Sequence, residues 1–266
     1  MVWYYLSVIK DLSPSSITRG LNTGFIGQKV IYYPYLTSTM NAARQVAQRG
    51  FANGTVIIAG EQTGGRGRMR RTWLSPEGNI AMSIILYPDI ASLPYLIMIA
   101  SLAVVGSIET VTGLKPQIKW PNDILIDGKK VCGILIENEV KGNKVAYSVV
   151  GIGINIDFNV ADYPEISSTA TSLKSKSGKY LRIKIIHSLF IEFERLYLKL
   201  PDGKPIYKSW RDRLVTLGKK VGVSSSSQIL DGIAESVDET GALVLRLADG
   251  SLTSIVAGDV TLRDKK

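Results

Sequence analysis

The chain has 266 residues, 45% of them hydrophobic, 8% aromatic and 21% charged. That balance excludes intrinsic disorder and collagen-like repeats and suits one or two globular domains. Its 32 Lys and Arg against 23 Asp and Glu leave a net charge of +9, so the surface should attract anions such as nucleotides, nucleic acid or acidic protein patches. A single cysteine, Cys132, and a single histidine, His187, exclude an intramolecular disulfide and a Cys/His zinc cluster; a reducing, cytoplasmic location is the simplest expectation.

The N-terminal MVWYYLSVIK is apolar but lacks the basic flank and small-residue cleavage site of a secretory signal, and reads as ordinary structure. Thr37-Ser38-Thr39 offers caps for a helix from Thr39 to Arg49, with Ala42, Ala43, Val46 and Ala47 on one face and Gly50 to end it. Two β-rich runs, Thr55 to Ala59 and Asn79 to Leu86, flank a stretch rich in glycine and arginine. The most hydrophobic segment, Leu93 to Ile108, is shorter than the ~20 residues that span a bilayer and is interrupted by Pro94, Ser101, Gly106 and Ser107, which predicts a buried core helix.

Gln117 to Trp120 and Ile124 to Ile126 lead into Asp127-Gly128, a pair that favours a type I′ turn, and an apolar return strand from Val131 to Glu137. Val145 to Ile156 reads as a further strand, and Glu165 to Lys179, rich in Ser, Thr and Lys, as a surface loop. Ile183, Ile186, Leu189, Phe190, Phe193, Leu196 and Tyr197 recur at helical spacing with His187 beside their face, and a second helix should follow Pro205 and carry Trp210. Beyond Gly218 come five short strands: Lys220 to Val223, Ile229 to Val237, Ala242 to Leu247, Leu252 to Val256 and Val260 to Arg263. This tail predicts a small β-barrel.

Three segments could carry chemistry. EQTGGRGRMRRTW, Glu61 to Trp73, holds three glycines and four arginines; glycine lets backbone approach a ligand closely, and guanidinium forks fit phosphate or carboxylate. The same composition also suits a solvated basic loop or an RGG-like nucleic-acid segment. In KWPNDILIDGKKVCGIL, Lys119 to Leu135, strand alternation puts Lys130, Cys132 and Ile134 on one face and Val131 and Gly133 on the other. Lys130 is then either a surface lysine or one that meets an anion, and Cys132 a small core residue. In Gly151-Ile152-Gly153-Ile154-Asn155, glycines inside an apolar strand mark a bulge or a close approach of ligand or backbone. G-x-x-x-x-G-K-[ST] is absent, and the G-x-G-x-x-G pattern beginning at Gly65 fails at Arg70. His187, with no Ser or Cys motif for company, reads as a helix-surface histidine.

In this order, Thr37-Ser38-Thr39, GEQTGGRGR with Trp73-Leu74-Ser75-Pro76, KWPNDILIDGKKVCGIL, GIGINI, Ala170-Thr171-Ser172-Leu173 and the stretch from Leu217-Gly218 to Leu262-Arg263 resemble the bacterial biotin protein ligases, which attach biotin to carboxylase carrier domains. The resemblance runs from about residue 25 to the end. It implies an α+β fold: a mixed β-sheet flanked by helices, as in class II aminoacyl-tRNA synthetases and lipoate ligases, followed by a C-terminal SH3-like β-barrel. The expected domains are an N-terminal extension over 1–24, a catalytic domain over 25–216 and the SH3-like domain over 217–266. About 25 residues precede the matching region, too few for the winged helix-turn-helix that many members carry, so no specific DNA partner is expected.

The resemblance also assigns roles. Biotin carboxylate attacks the α-phosphorus of ATP, a meeting of two anions that calls for fixed positive charge. Lys130 is expected on the biotin carboxylate and the phosphate bridge, with Arg66 and Arg68 folded over the adenylate and Arg71 on the ATP phosphates. Mg²⁺ should accompany ATP, held by phosphate oxygens and water, with no dedicated protein metal site. Ser38, Thr39 and Gln62 are the expected polar contacts of biotin. Gly65, Gly133, Gly151 and Gly153 would let backbone approach it, Trp73 and Trp120 would wall the site, and Asn155 would contact the nucleotide. In the second half-reaction a carrier lysine attacks the mixed anhydride, and Asp123 is the candidate to orient it. Members usually have glycine where this chain has Arg70, and glycine there suits a positive φ. A lipoate ligase or octanoyl transferase, sharing the fold class, is the nearest alternative; Gln62 and the KWPND hairpin favour biotin. A basic nucleic-acid-binding module is the alternative of another class, disfavoured by the lack of aromatics among the arginines apart from Trp73. An edge strand or the barrel could pair two copies into a homodimer.

Overall fold

The computed structural model describes residues 12–157, 159–179, 181–200, 202–224 and 229–263; the apolar N-terminal decapeptide lies outside them. Ser13 caps a short helix α1, Pro14–Thr18, by accepting from the Ser16 N–H at 3.1 Å. Strand β1, Val30–Leu36, leads into helix α2, Thr39–Gln48, and strand β2, Val56–Gln62. Strand β3 is Ile80–Leu86, and helix α3, Tyr95–Thr112, ends on Gly113 in the left-handed region at φ 76°. Then come β4 (Gln117–Lys119), β5 (Asp123–Ile126), β6 (Lys129–Lys141) and β7 (Lys144–Ile154). Helices α4 (Leu173–Ser177), α5 (Arg182–Tyr197) and α6 (Lys204–Arg211) follow, and then strands β8 (Lys220–Ser224), β9 (Ile229–Val237), β10 (Leu243–Arg246), β11 (Leu252–Ile255) and β12 (Asp259–Leu262).

Seven strands form one mixed sheet in the order β1-β2-β3-β7-β6-β5-β4; β1 and β2 are parallel and every other neighbour antiparallel. Both faces are covered, so strand residues alternate between two apolar cores instead of between core and water. The larger core joins Val56, Ile58, Ile84 and Ile134 to α3 and α5. On the other face Ile57, Ile85 and Val149 meet Ala42, Ala43, Val46 and Ala47 of α2, small residues that let the helix lie close to the sheet. By length and composition α3 could cross a membrane, but here it packs between the sheet, α5 and α6, with Met98 through Val105 all buried. The core helix expected there is what the fold contains.

No strand was read over Val30–Leu36, a run that Pro34 interrupts. Strand β1 occupies an edge of the sheet, where a residue without an N–H is tolerated, and Tyr33 and Tyr35 on either side pair with Ala59 and Glu61. The segment 165–179 is also more ordered than a surface loop. Ala170, Thr171 and Ser172 are buried, and Ser172 with Ser175 forms a capping box on α4. Serines that read as loop residues act there as caps, on a helix too short to show a period.

Residues 12–24 are packed into the core through Leu12 and Ile17, which are fully buried. The buried Glu194 carboxylate accepts from the N–H groups of Gly24, Phe25 and Ile26 at 2.6–2.9 Å, and His187 Nε2 lies 2.6 Å from the Ile17 carbonyl. The histidine therefore ties the N-terminal segment to α5, a role its helical position did not reveal.

The C-terminal strands form an all-antiparallel sheet in the order β11-β10-β9-β8-β12. The five strands are those expected of an SH3-like domain. Among the described residues β11 and β12 do not pair with each other, so the expected barrel is not closed by hydrogen bonds. Trp120 joins the two sheets: its backbone N–H donates to Thr216 Oγ1 at 2.9 Å and its indole N–H to the Gly241 carbonyl at 2.8 Å. Tyr207 OH donates to the Val237 carbonyl at 2.6 Å beside it.

Candidate active site

One cleft lies on the α2 face of the mixed sheet, at the N-terminal end of α2. Its cavity volume is about 120 Å³. Its floor is β3, β6 and β7, its roof the glycine- and arginine-rich loop, and Asp259 reaches its rim from the C-terminal sheet.

At one end is a polar corner. Ser38 occupies the N-cap of α2 in extended conformation, yet its hydroxyl makes no capping bond. That hydroxyl is buried and without a partner in the described structure. The first helical N–H, of Thr39, is instead satisfied by the Gln62 side chain, Oε1 accepting at 2.8 Å, and the Thr39 hydroxyl donates to the same oxygen at 3.1 Å. A buried unpaired hydroxyl costs free energy unless a ligand completes it, so the corner is built to receive hydrogen bonds from outside the chain.

Lys130 lines the same cleft. The β5–β6 turn has Asp127 at φ 49° and Gly128 at φ 75°, as a type I′ hairpin requires. Just beyond it the register slips: Ile124 faces Cys132 and Leu125 faces Lys130, leaving Val131 as an extra residue. This bulge overturns the expected alternation. Lys130 shares a face with Gly133 instead of with Cys132; a Cβ on Gly133 would stand 3.3 Å from Lys130 Nζ, whereas Cys132 is buried in the core. Lys130 Nζ is 2.7 Å from Asp123 Oδ1 and 5.2 Å from the centre of the Trp73 ring, a charge held by a carboxylate and an aromatic face.

The four arginines of the loop are deployed differently. Arg66 pairs with Glu137 and donates to Asn41 Oδ1 at 2.9 Å; Glu137 also receives Arg44 at 2.5 Å. Arg68 donates to Asn122 Oδ1 at 3.3 Å; burial draws its pKa below the ordinary guanidinium value, with Asp259 and Asp123 opposing. Arg71 pairs with Asp259. Arg70 sits at φ 60° next to Met69 at φ 52°, two consecutive side-chain-bearing residues in the left-handed region.

Residues 32–155 match the Biotin/lipoate A/B protein ligase family, and residues 216–263 match the Biotin protein ligase C terminal domain. The bifunctional ligase/repressor BirA of Bacillus subtilis (strain 168) is 38% identical over 258 residues, covering 94% of this chain and 79% of the relative. This chain belongs to the biotin protein ligase family. The biotin–[acetyl-CoA-carboxylase] ligase of Paracoccus denitrificans is 32% identical over 220 residues, covering 79% of this chain and 91% of that one. The biotin protein ligase of Aquifex aeolicus, solved in complex with biotin and ATP, superposes with a TM-score of 0.69 at 26% identity, over 90% of this chain and all of that one.

Of the residues singled out in the biotin protein ligase motifs, Ser38, Thr39, Gln62, Arg66, Arg68, Arg71, Trp73, Asp123, Lys130, Gly133, Gly151 and Gly153 line this one cleft. Three do not. Gly65 accepts from the Trp73 N–H at 2.9 Å, and a Cβ on it would collide with the Trp73 carbonyl. Asn155 is buried, its amide donating to the Thr171 carbonyl at 3.0 Å. Trp120 is no wall of the site; it is 1% exposed, in the joint with the C-terminal sheet. Gly151 and Gly153 make room for this chain's own side chains: a Cβ on Gly153 would collide with the Trp73 indole, and one on Gly151 would stand 2.5 Å from Met40 Sδ. Sequence reasoning missed Asn41, Asn122, Glu137 and Asp259 as site residues. Asn122 stood within the KWPND motif; Asp259 lies 188 positions from the Arg71 it meets, with no local signal.

Proposed function

We propose that this chain activates biotin with ATP to biotinyl-5′-AMP and then transfers the biotinyl group to a lysine of a biotin carboxyl carrier protein. One observation carries the reading: an acceptor–donor corner with an unpaired buried hydroxyl and a lysine held by a carboxylate and an aromatic face line one cleft. A urea ring suits the corner and a carboxylate the lysine, and the Aquifex aeolicus relative was solved with biotin and ATP.

In the first step a biotin carboxylate oxygen bonds to the α-phosphorus as the bond to the bridging oxygen of pyrophosphate breaks. Charge gathers on the phosphoryl oxygens, and Lys130 Nζ and Arg68 supply fixed positive charge beside them, a contribution worth about 10²–10³ in rate per donor at such sites. Arg71 is placed at the mouth for the outer phosphates. In the second step a carrier lysine amine attacks the acyl carbon, the anhydride C–O bond breaks and AMP leaves; the Asp123 carboxylate, 2.7 Å from Lys130 Nζ, orients the amine and takes its proton. Among the described residues no three His, Cys, Asp or Glu side chains cluster as a metal site, and the two cleft carboxylates are each ion-paired. In this reading Mg²⁺ enters as part of the MgATP substrate, on phosphate oxygens. The cytoplasm, with its ATP and carboxylases, is the proposed setting.

The test is to incubate the protein with ATP, Mg²⁺, biotin and a carrier domain, with lipoate in a parallel tube, and to read intact mass. Biotin transfer to one carrier lysine is expected. Lipoyl transfer, or none, overturns the reading.

A further inference from the structure

Beneath the polar corner lies a residue that does not itself line the cleft. Ser83 is the one hydroxyl in the otherwise apolar strand β3, is 0% exposed, and donates to Thr39 Oγ1 at 2.9 Å. Its strand neighbours explain how it gets there. Ser83 pairs with Gly151 on β7 and shares the α2 face with Ala81, so it points at the start of α2, where Thr39 stands.

The hydrogen bonds around Thr39 can be read in only one direction. The Thr39 N–H can only donate, so the Gln62 atom 2.8 Å away is the amide oxygen and the Gln62 NH₂ faces away from the helix. The Thr39 hydroxyl has one hydrogen, which goes to that same oxygen. The Ser83 hydrogen is then spent on Thr39. The corner is thereby left with fixed polarity: a free Thr39 lone pair that accepts, a Gln62 NH₂ that donates, and the unpaired Ser38 hydroxyl beside them.

We infer that Ser83 is a positioning residue for substrate recognition, the buried end of a Ser83–Thr39–Gln62 relay that sets which atoms of the corner accept and which donate. Without the Ser83 hydrogen, the Thr39 hydroxyl is free to turn its own hydrogen away from Gln62, and the acceptor offered to the ligand N–H is lost for part of the time. The inference rests on the biotin reading and names the part of biotin concerned, the ureido ring.

The experiment is calorimetric binding of biotin and of desthiobiotin, which keeps the ureido ring but lacks the thiophane, to wild type, Ser83→Ala and Ser83→Cys, with Tm recorded for each. Loss of one such hydrogen bond corresponds to about tenfold in affinity. Ser83→Ala should weaken both ligands by about that factor equally, with kcat and the KM for ATP within about twofold and Tm lowered by no more than a few degrees. Ser83→Cys, which restores volume but donates weakly, should behave like Ser83→Ala. Unchanged affinity in Ser83→Ala, full recovery in Ser83→Cys, or a loss confined to biotin would each overturn the relay, the last two pointing to packing. If the wild-type chain binds neither ligand, the biotin reading fails first, and the inference with it.

Discussion

Arg71, in the glycine- and arginine-rich loop, is ion-paired with Asp259 at the start of β12, so the C-terminal sheet supplies a charge to the rim of the cleft. The Arg71 side chain is 66% exposed, and such pairs contribute only about 0–1 kcal/mol to stability. Its consequence is position: Asp259 holds a guanidinium at the cleft mouth. Asp259→Ala should leave the unfolding free energy within about 1 kcal/mol of wild type while raising the KM for ATP several-fold. Arg71→Ala should add little on top of it. Steady-state kinetics on the two single variants and the double variant check this; strictly additive effects would mean that the residues act independently.

Among the described residues Lys130 is the one lysine that lines the cleft, and Lys130→Ala also leaves Asp123 without its partner. Adenylate formation should fall by at least about 10²-fold, with the circular dichroism spectrum unchanged. Pyrophosphate release at a near-normal rate would remove Lys130 from the chemistry.

Arg70 stands at φ 60°, a region that costs a residue with a Cβ about 1–2 kcal/mol and glycine almost nothing. Arg70→Gly should therefore keep full activity or retain the adenylate better. A tenfold loss of activity would give the Arg70 guanidinium a ligand role of its own.

Burial pushes the Cys132 thiol well above its ordinary pKa, more than the nearby Lys130 draws it down. The native protein should be inert to a thiol reagent such as DTNB at pH 8 and react once unfolded. Because the folded state holds this proton more tightly than the unfolded state, its contribution is complete below the unfolded pKa of about 8.5 and is lost as pH rises above it. Stability should thus fall by up to about 1.4 kcal/mol per pH unit in that range, and Cys132→Ala should flatten the slope. A chemical-denaturation series from pH 8 to 10.5 measures it.

Much of the fold could be read along the chain. The helix from Thr39, the apolar α3, the Trp210 helix and the five C-terminal strands all announce themselves by period or by glycine and aspartate turns, and the structure has each of them. What escaped has identifiable causes. Strand β1 carries Pro34, and the edge position that tolerates it is a property of the sheet and not of the segment. Ser172 and Ser175 looked like loop residues because a five-residue helix is too short for a pattern.

The site divides in the same way. Residue types and local spacing determined the chemistry available: arginines beside glycines, a lysine after a tight hairpin, Ser-Thr at a helix start. These are local matters of charge, hydrogen-bonding capacity and turn geometry, and they reach only a few residues along the chain. Tertiary structure alone decided which face Lys130 takes, since the bulge at Val131 is created by pairing with β5. It alone sent Trp120 to the joint between sheets and not to the cleft. It also brought Asp259 to Arg71 and Ser83 under Thr39. Those contacts depend on strand order and on helices docking across the sheet. No period in the sequence records them, because each partner satisfies its own local rules without the other.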